Sequence, residues 1–118
     1  MTRIHSSNVA VTDFVPFPAD KVEVLEGEFR EKIHLVREGA AGEGQLEVGV
    51  SVTEERSKVR YTFEGDHTVY IVSGAVDVEL DDGESVSLRA GDLGSFPKGA
   101  TCTWHVLEPT TEIFVMSG

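Results

Sequence analysis

The chain carries one cysteine, Cys102, in 118 residues. An internal disulfide is excluded, and a reducing compartment, the cytoplasm, is the expected location. Basic residues are also scarce: 10 Lys and Arg stand against 21 Asp and Glu, a formal net charge of −11. A phosphate backbone would be repelled by that balance, and no Lys/Arg cluster offsets it, so neither nucleic acid nor an anionic membrane is expected as a partner. The opening stretch MTRIHSSNVAVTDF holds no continuous apolar segment. No run reaches the roughly 18 apolar residues that a membrane span needs, so neither a signal peptide nor a transmembrane helix is expected. Helical signals are missing as well: no long stretch combines a 3.6-residue period with caps.

What remains is alternation. From about residue 22 onward a period of two dominates. Residues 45–52 (QLEVGVSV) put Leu46, Val48, Val50 and Val52 on one face. Residues 58–63 (KVRYTF), 76–80 (VDVEL) and 84–88 (ESVSL) also alternate apolar with polar. Residues 68–72 (TVYIV), 101–107 (TCTWHVL) and 112–116 (EIFVM) are rich in β-branched and aromatic side chains. Glycine-bearing turn signals separate these runs: Gly65-Asp66, Ser73-Gly74, Asp81-Asp82-Gly83, Ala90-Gly91-Asp92 and Pro97-Lys98-Gly99. Residues 40–44 (AAGEG) read as a loop. Spacing of about 7–10 residues between signals predicts short antiparallel strands in a sandwich or barrel. The length suits one domain with one core. The first 20 residues differ, because prolines hold VPFP extended, and they are read as an N-terminal arm on a single domain spanning 21–118.

Two stretches carry a family signature. HTVYIVSG with the following AVDVEL, and GDLGSFPKGATCTW, resemble the two motifs of the cupins. The likeness covers residues 45–116 and is nearest to the small single-domain, RmlC-like cupins related to ureidoglycine aminohydrolase and to the ethanolamine-utilisation cupin. The resemblance implies an all-β fold, a cupin double-stranded β-helix (a jelly-roll-like barrel), with a small-molecule pocket at its mouth and a homodimer as the assembly. It also places the usual metal-ligand positions on Tyr61, Phe63, His67 and Cys102. Phe63 has no donor atom, and Tyr61 is not an ordinary ligand. His67 and Cys102 can both bind a borderline metal, but two ligands fall short of the three or four that zinc takes. A third would come from His34, Glu47 or His105, and His105 has the opposite strand parity to Cys102.

The expected pocket is therefore Tyr61, Phe63, His67, Cys102 and Trp104, with either no cofactor or a divalent transition metal on His67 and Cys102. Each residue also has a plainer reading. His67 is equally read as a hydrogen-bonded histidine at a strand start, Cys102 as a small buried hydrophobe, and the aromatics as core. Two functions stay open. One is a metal-free binding or accessory cupin. The other is a metal-dependent enzyme acting on a polar nitrogen-containing metabolite, with His67 as ligand or base and Cys102 as ligand or nucleophile. The acidic balance is either a solvated surface or an attraction for a cationic ligand, which an aromatic cage would suit.

Overall fold

A computed structural model of the chain describes residues 4–42 and 44–118. Their strands are β1 (Val15–Pro16), β2 (Val22–Gly27), β3 (Glu31–Ala41), β4 (Gly44–Thr53) and β5 (Ser57–Thr62). They continue with β6 (Asp66–Leu80), β7 (Ser85–Arg89), β8 (Leu93–Phe96) and β9 (Thr101–Ser117). A single 3-10 turn, Ala19–Lys21, is the only helical element among the described residues. The all-β architecture and the barrel are as the sequence indicates. Every pairing is antiparallel.

Two long strands organise the barrel. β6 and β9 pair along nearly their whole lengths. The first half of β9 pairs with β5 and its second half with β4. The start of β6 pairs with β8 and its later part with β7. Each half of the β6–β9 ribbon thus belongs to a different flank of a curled sheet.

The bend between halves lies where the sequence signals a turn at Ser73-Gly74. The structure shows a run of register shifts inside β6 instead, between Ile71 and Val76. Gly74 takes φ +100°, and a Cβ there would lie 2.6 Å from the Pro109 carbonyl oxygen. Opposite it, the buried Thr110 hydroxyl accepts from the Ala75 amide at 3.2 Å and donates to the Glu108 carbonyl at 2.8 Å. The chain bends without breaking its ladder, because a side chain restores the bonds the shift removes. The loop read at 40–44 is shorter in the structure: β3 runs to Ala41, Gly42 is a turn and β4 begins at Gly44, while residue 43 lies outside the described residues.

The core fills one part of the barrel. Val69, Ile71, Val76 and Val78 of β6 pack with Leu88, Phe96, Cys102, Val106, Phe63 and Phe114. Phe63 stacks on Phe96 with ring centroids 5.0 Å apart. Within the segment read as an arm, β1 pairs with β3, and Phe17 sits edge-on to Phe29 and Tyr61 at 5.7 and 6.3 Å.

Candidate functional site

Beside the core, the barrel opens into a cavity of about 70 Å³. That is room for more than one water and so for a small ligand. Its wall comes from inward-facing residues at period two: Glu31 and Ile33 of β3, Glu47 and Thr53 of β4, Val59 and Tyr61 of β5, and Glu112, Phe114 and Met116 of β9. Phe17, Lys21, Val22, Phe29 and Glu64 complete the rim.

Of the residues singled out in the sequence, Tyr61, Phe63, His67 and Trp104 line this cavity, and Cys102 does not. Cys102 is 0% exposed and belongs to the core cluster. Burial pushes its thiol up to about 11, and Asp81 adds to the rise. That thiol stays protonated and is a poor nucleophile.

The His67 ring is packed among aromatics instead. Phe63 lies 5.5 Å away, Tyr61 6.4 Å, and Phe114 stacks on it at 5.9 Å. Burial lowers its pKa to about 4, so it is neutral at physiological pH, and its buried Nδ1 has no hydrogen-bond partner among the described residues. No charge on Cys102 contributes to that shift, nor His67 to the shift of Cys102.

The other candidate ligands point elsewhere. His34 has the parity opposite to Glu31 and Ile33, and its Nδ1 lies 2.7 Å from the Asp13 carbonyl oxygen. His105 is paired in register with Asp77 of β6 and Lys58 of β5. Glu47 does face the cavity, and burial raises its pKa. Among the described residues no three His, Cys, Asp or Glu side chains gather in a metal-binding group. The donor set at the cupin ligand positions does not fit a metal.

The feature the sequence reading passed over is a pair of carboxylates. Ser51 of β4 stands directly opposite Glu112 of β9, and its hydroxyl donates to Glu31 at 2.6 Å. The two glutamates therefore flank one serine, which is 1% exposed. Burial pushes the Glu31 carboxyl up to about 7, with the Ser51 bond opposing the rise. Glu112 is 8% exposed. Its pKa stands well above 4.5, first through burial and then through the nearby charge of Glu31. Two such groups titrate as a unit, and both hold their protons to a higher pH than an ordinary carboxyl does. Strand parity was the available signal: Glu112 shares a face with Phe114 and Met116, and Glu31 with Ile33 and Leu35.

A short antiparallel barrel, closed by a β6–β9 ribbon and open to one side as a lined cavity, is the architecture of a cupin. The sequence profile of the EutQ-like cupin domain matches residues 41–113, and the chain belongs to that family. Glu31, Phe17 and Phe29 lie before the matched segment, whereas Glu112 lies within it.

Solved structures agree. The putative ethanolamine utilization protein EutQ of Salmonella typhimurium is 17% identical over 74% of this chain and 68% of its own, with a TM-score of 0.62. A DUF861 family protein from Thermotoga maritima is 34% identical over 57% of this chain and 73% of its own, with a TM-score of 0.50. An acetylacetone dioxygenase from Acinetobacter johnsonii is 15% identical over 100% of this chain and 78% of its own, with a TM-score of 0.68. The first and third likenesses are of fold alone. No curated protein sequence matches the chain. No helix of the described residues is long and apolar enough to cross a membrane.

Proposed function

We propose that this chain is a metal-free cupin that binds a small molecule in the cavity of its barrel. The observation that carries this reading is the composition of the cavity wall. Aromatic rings and two carboxylates, Glu112 buried and Glu31 half-buried, stand there, while the donors present do not make a metal set. Tyr61, Phe63, His67 and Trp104 act as wall, with the His67 ring neutral. Residues 21–118 form the cupin domain, and the arm of residues 1–20 contributes Phe17 to the rim.

The protein works in the cytoplasm without nucleic acid or membrane partners, a reading supported by its acidic charge and single buried thiol. It assembles as a homodimer. Tyr70 and Leu93 are register partners, Val115 lies diagonally across from Tyr70, and all three are exposed on one outer face, Leu93 to 69%. Light scattering on wild type and Leu93→Glu tests the assembly, with a dimer expected only for the wild type.

The test of function is elemental mass spectrometry on protein purified without a histidine tag or chelator. Thermal melts with added zinc, manganese, nickel or iron accompany it. No stoichiometric metal and no rise in Tm are expected. A stoichiometric metal that is lost in His67→Ala would overturn the reading.

A further inference from the structure

We propose that Glu31 and Glu112 together recognise one small organic cation, a protonated amine or a quaternary ammonium group, held against the aromatic wall of the cavity. This rests on the binding reading above and gives it a ligand class.

The first observation is the pair itself. Burying two carboxylates side by side costs free energy, and one serine hydroxyl is a thin return. Glu112 is nine-tenths buried and lines the cavity, and beside it the buried His67 Nδ1 has no hydrogen-bond partner among the described residues. Groups placed in the interior at a cost in stability mark candidate sites of function.

The second observation is the rest of the wall. Phe17, Phe29, Tyr61, Trp104 and Phe114 surround the same space, and ring faces attract cations. An anion would find little to bind. Lys21 is the one basic side chain on the wall among the described residues, and it is paired with Glu64 at 3.3 Å. His67 is neutral. The cavity is small, so a primary alkylammonium or tetramethylammonium ion is the probe suited to it.

A consequence separates this from generic binding. In the free protein both carboxyls keep their protons to a higher pH than ordinary carboxyls do. A cation seated against them stabilises their ionised forms, so protons leave as the cation enters. The other titratable groups facing the pair are Glu47 from β4, Tyr61 from β5 and His67 from β6, with Lys21 and Glu64 at the rim. Tyr61 is held neutral, because burial raises its pKa further above its ordinary value. Proton release therefore reports on the carboxylates, and affinity rises with pH through neutrality.

The experiment is isothermal titration calorimetry on the wild-type protein with propylammonium, tetramethylammonium, 1-propanol and propionate. Phosphate and HEPES buffers of different ionisation enthalpy count the protons. The ammonium ions are expected to bind at least about tenfold more tightly than the alcohol or the acid, with a net release of protons. Glu31→Gln and Glu112→Gln should each weaken ammonium binding at least about tenfold. If one variant fails to fold, the wild-type proton count still decides.

Propanol or propionate binding as tightly as propylammonium would overturn the cation assignment and leave a working binding cavity. Ammonium binding that releases no proton and survives both substitutions would place the cation elsewhere and overturn it as well. Failure of all four probes to bind would overturn this inference and weigh against the binding reading beneath it.

Discussion

Replacing Glu31 with glutamine should make the protein more stable in mildly alkaline solution while impairing its cavity. Glutamine keeps the shape and still accepts the Ser51 hydroxyl that lies 2.6 Å from the glutamate. What it removes is a carboxyl held at about 7 in the folded chain against an ordinary value of 4.5. The folded state holds that proton more tightly than the unfolded state does. Stability from this group is therefore complete below pH 4.5, and it declines as pH rises towards about 7. A displacement of that size corresponds to at most about 3 kcal/mol, and water entering the cavity reduces it.

The variant carries no such loss. At about pH 8 it should exceed the wild type by up to about 3 kcal/mol, or about 10 °C in Tm for a domain of this size. Below pH 4.5 the two should coincide. His67 has the opposite sign: its pKa falls from 6.5 to about 4, so stability is lost as pH drops through that window. Glu112, which burial also raises, remains in Glu31→Gln with the same sign as Glu31, so the difference between variant and wild type at each pH isolates the Glu31 carboxyl. Urea unfolding followed across pH reads both effects. A difference between variant and wild type that does not change with pH, or a variant that is weaker in alkali, would refute the assignment of a raised Glu31 carboxyl.

Three further substitutions follow from the packing. Phe17→Ala removes the ring that bridges Phe29 and Tyr61 at the cavity rim, and should cost about 2 kcal/mol in unfolding experiments and weaken ligand binding several-fold. The Cys102 thiol, 0% exposed and held at about 11, should resist a thiol reagent in the native protein and react only on unfolding. Cys102→Ala should bind ligand as the wild type does. Gly74→Ala forces a side chain into φ +100° against the Pro109 carbonyl, and a loss of at least about 2 kcal/mol is expected by thermal melt.

The strands and the fold were legible because alternation, glycine turns and the proline-glycine motif agree. Sidedness was not. In 45–52 the obvious apolar face, Leu46 to Val52, is the one turned away from the cavity, whereas Glu47, Ser51 and Thr53 face inward. A period of two states that two faces differ but not which one a barrel encloses. The carboxylate pair escaped notice for the same reason: Glu31 and Glu112 lie 81 positions apart and meet only through the β3–β4–β9 register. Cys102 illustrates the reverse case. Its parity matches Trp104, yet one step of two residues along β9 moves a side chain from cavity wall to sealed core. The Ser73-Gly74 signal was read as a turn because a glycine with positive φ is common to turns and bulges, and only the opposing strand distinguishes them.

The most direct test of a metal-free binding cavity is the affinity of wild-type protein for propylammonium after exhaustive treatment with a chelator. The same titration is then repeated with zinc or manganese added back. Equal affinity in both titrations is the expected result. Binding that vanishes with the chelator and returns with the metal would contradict it.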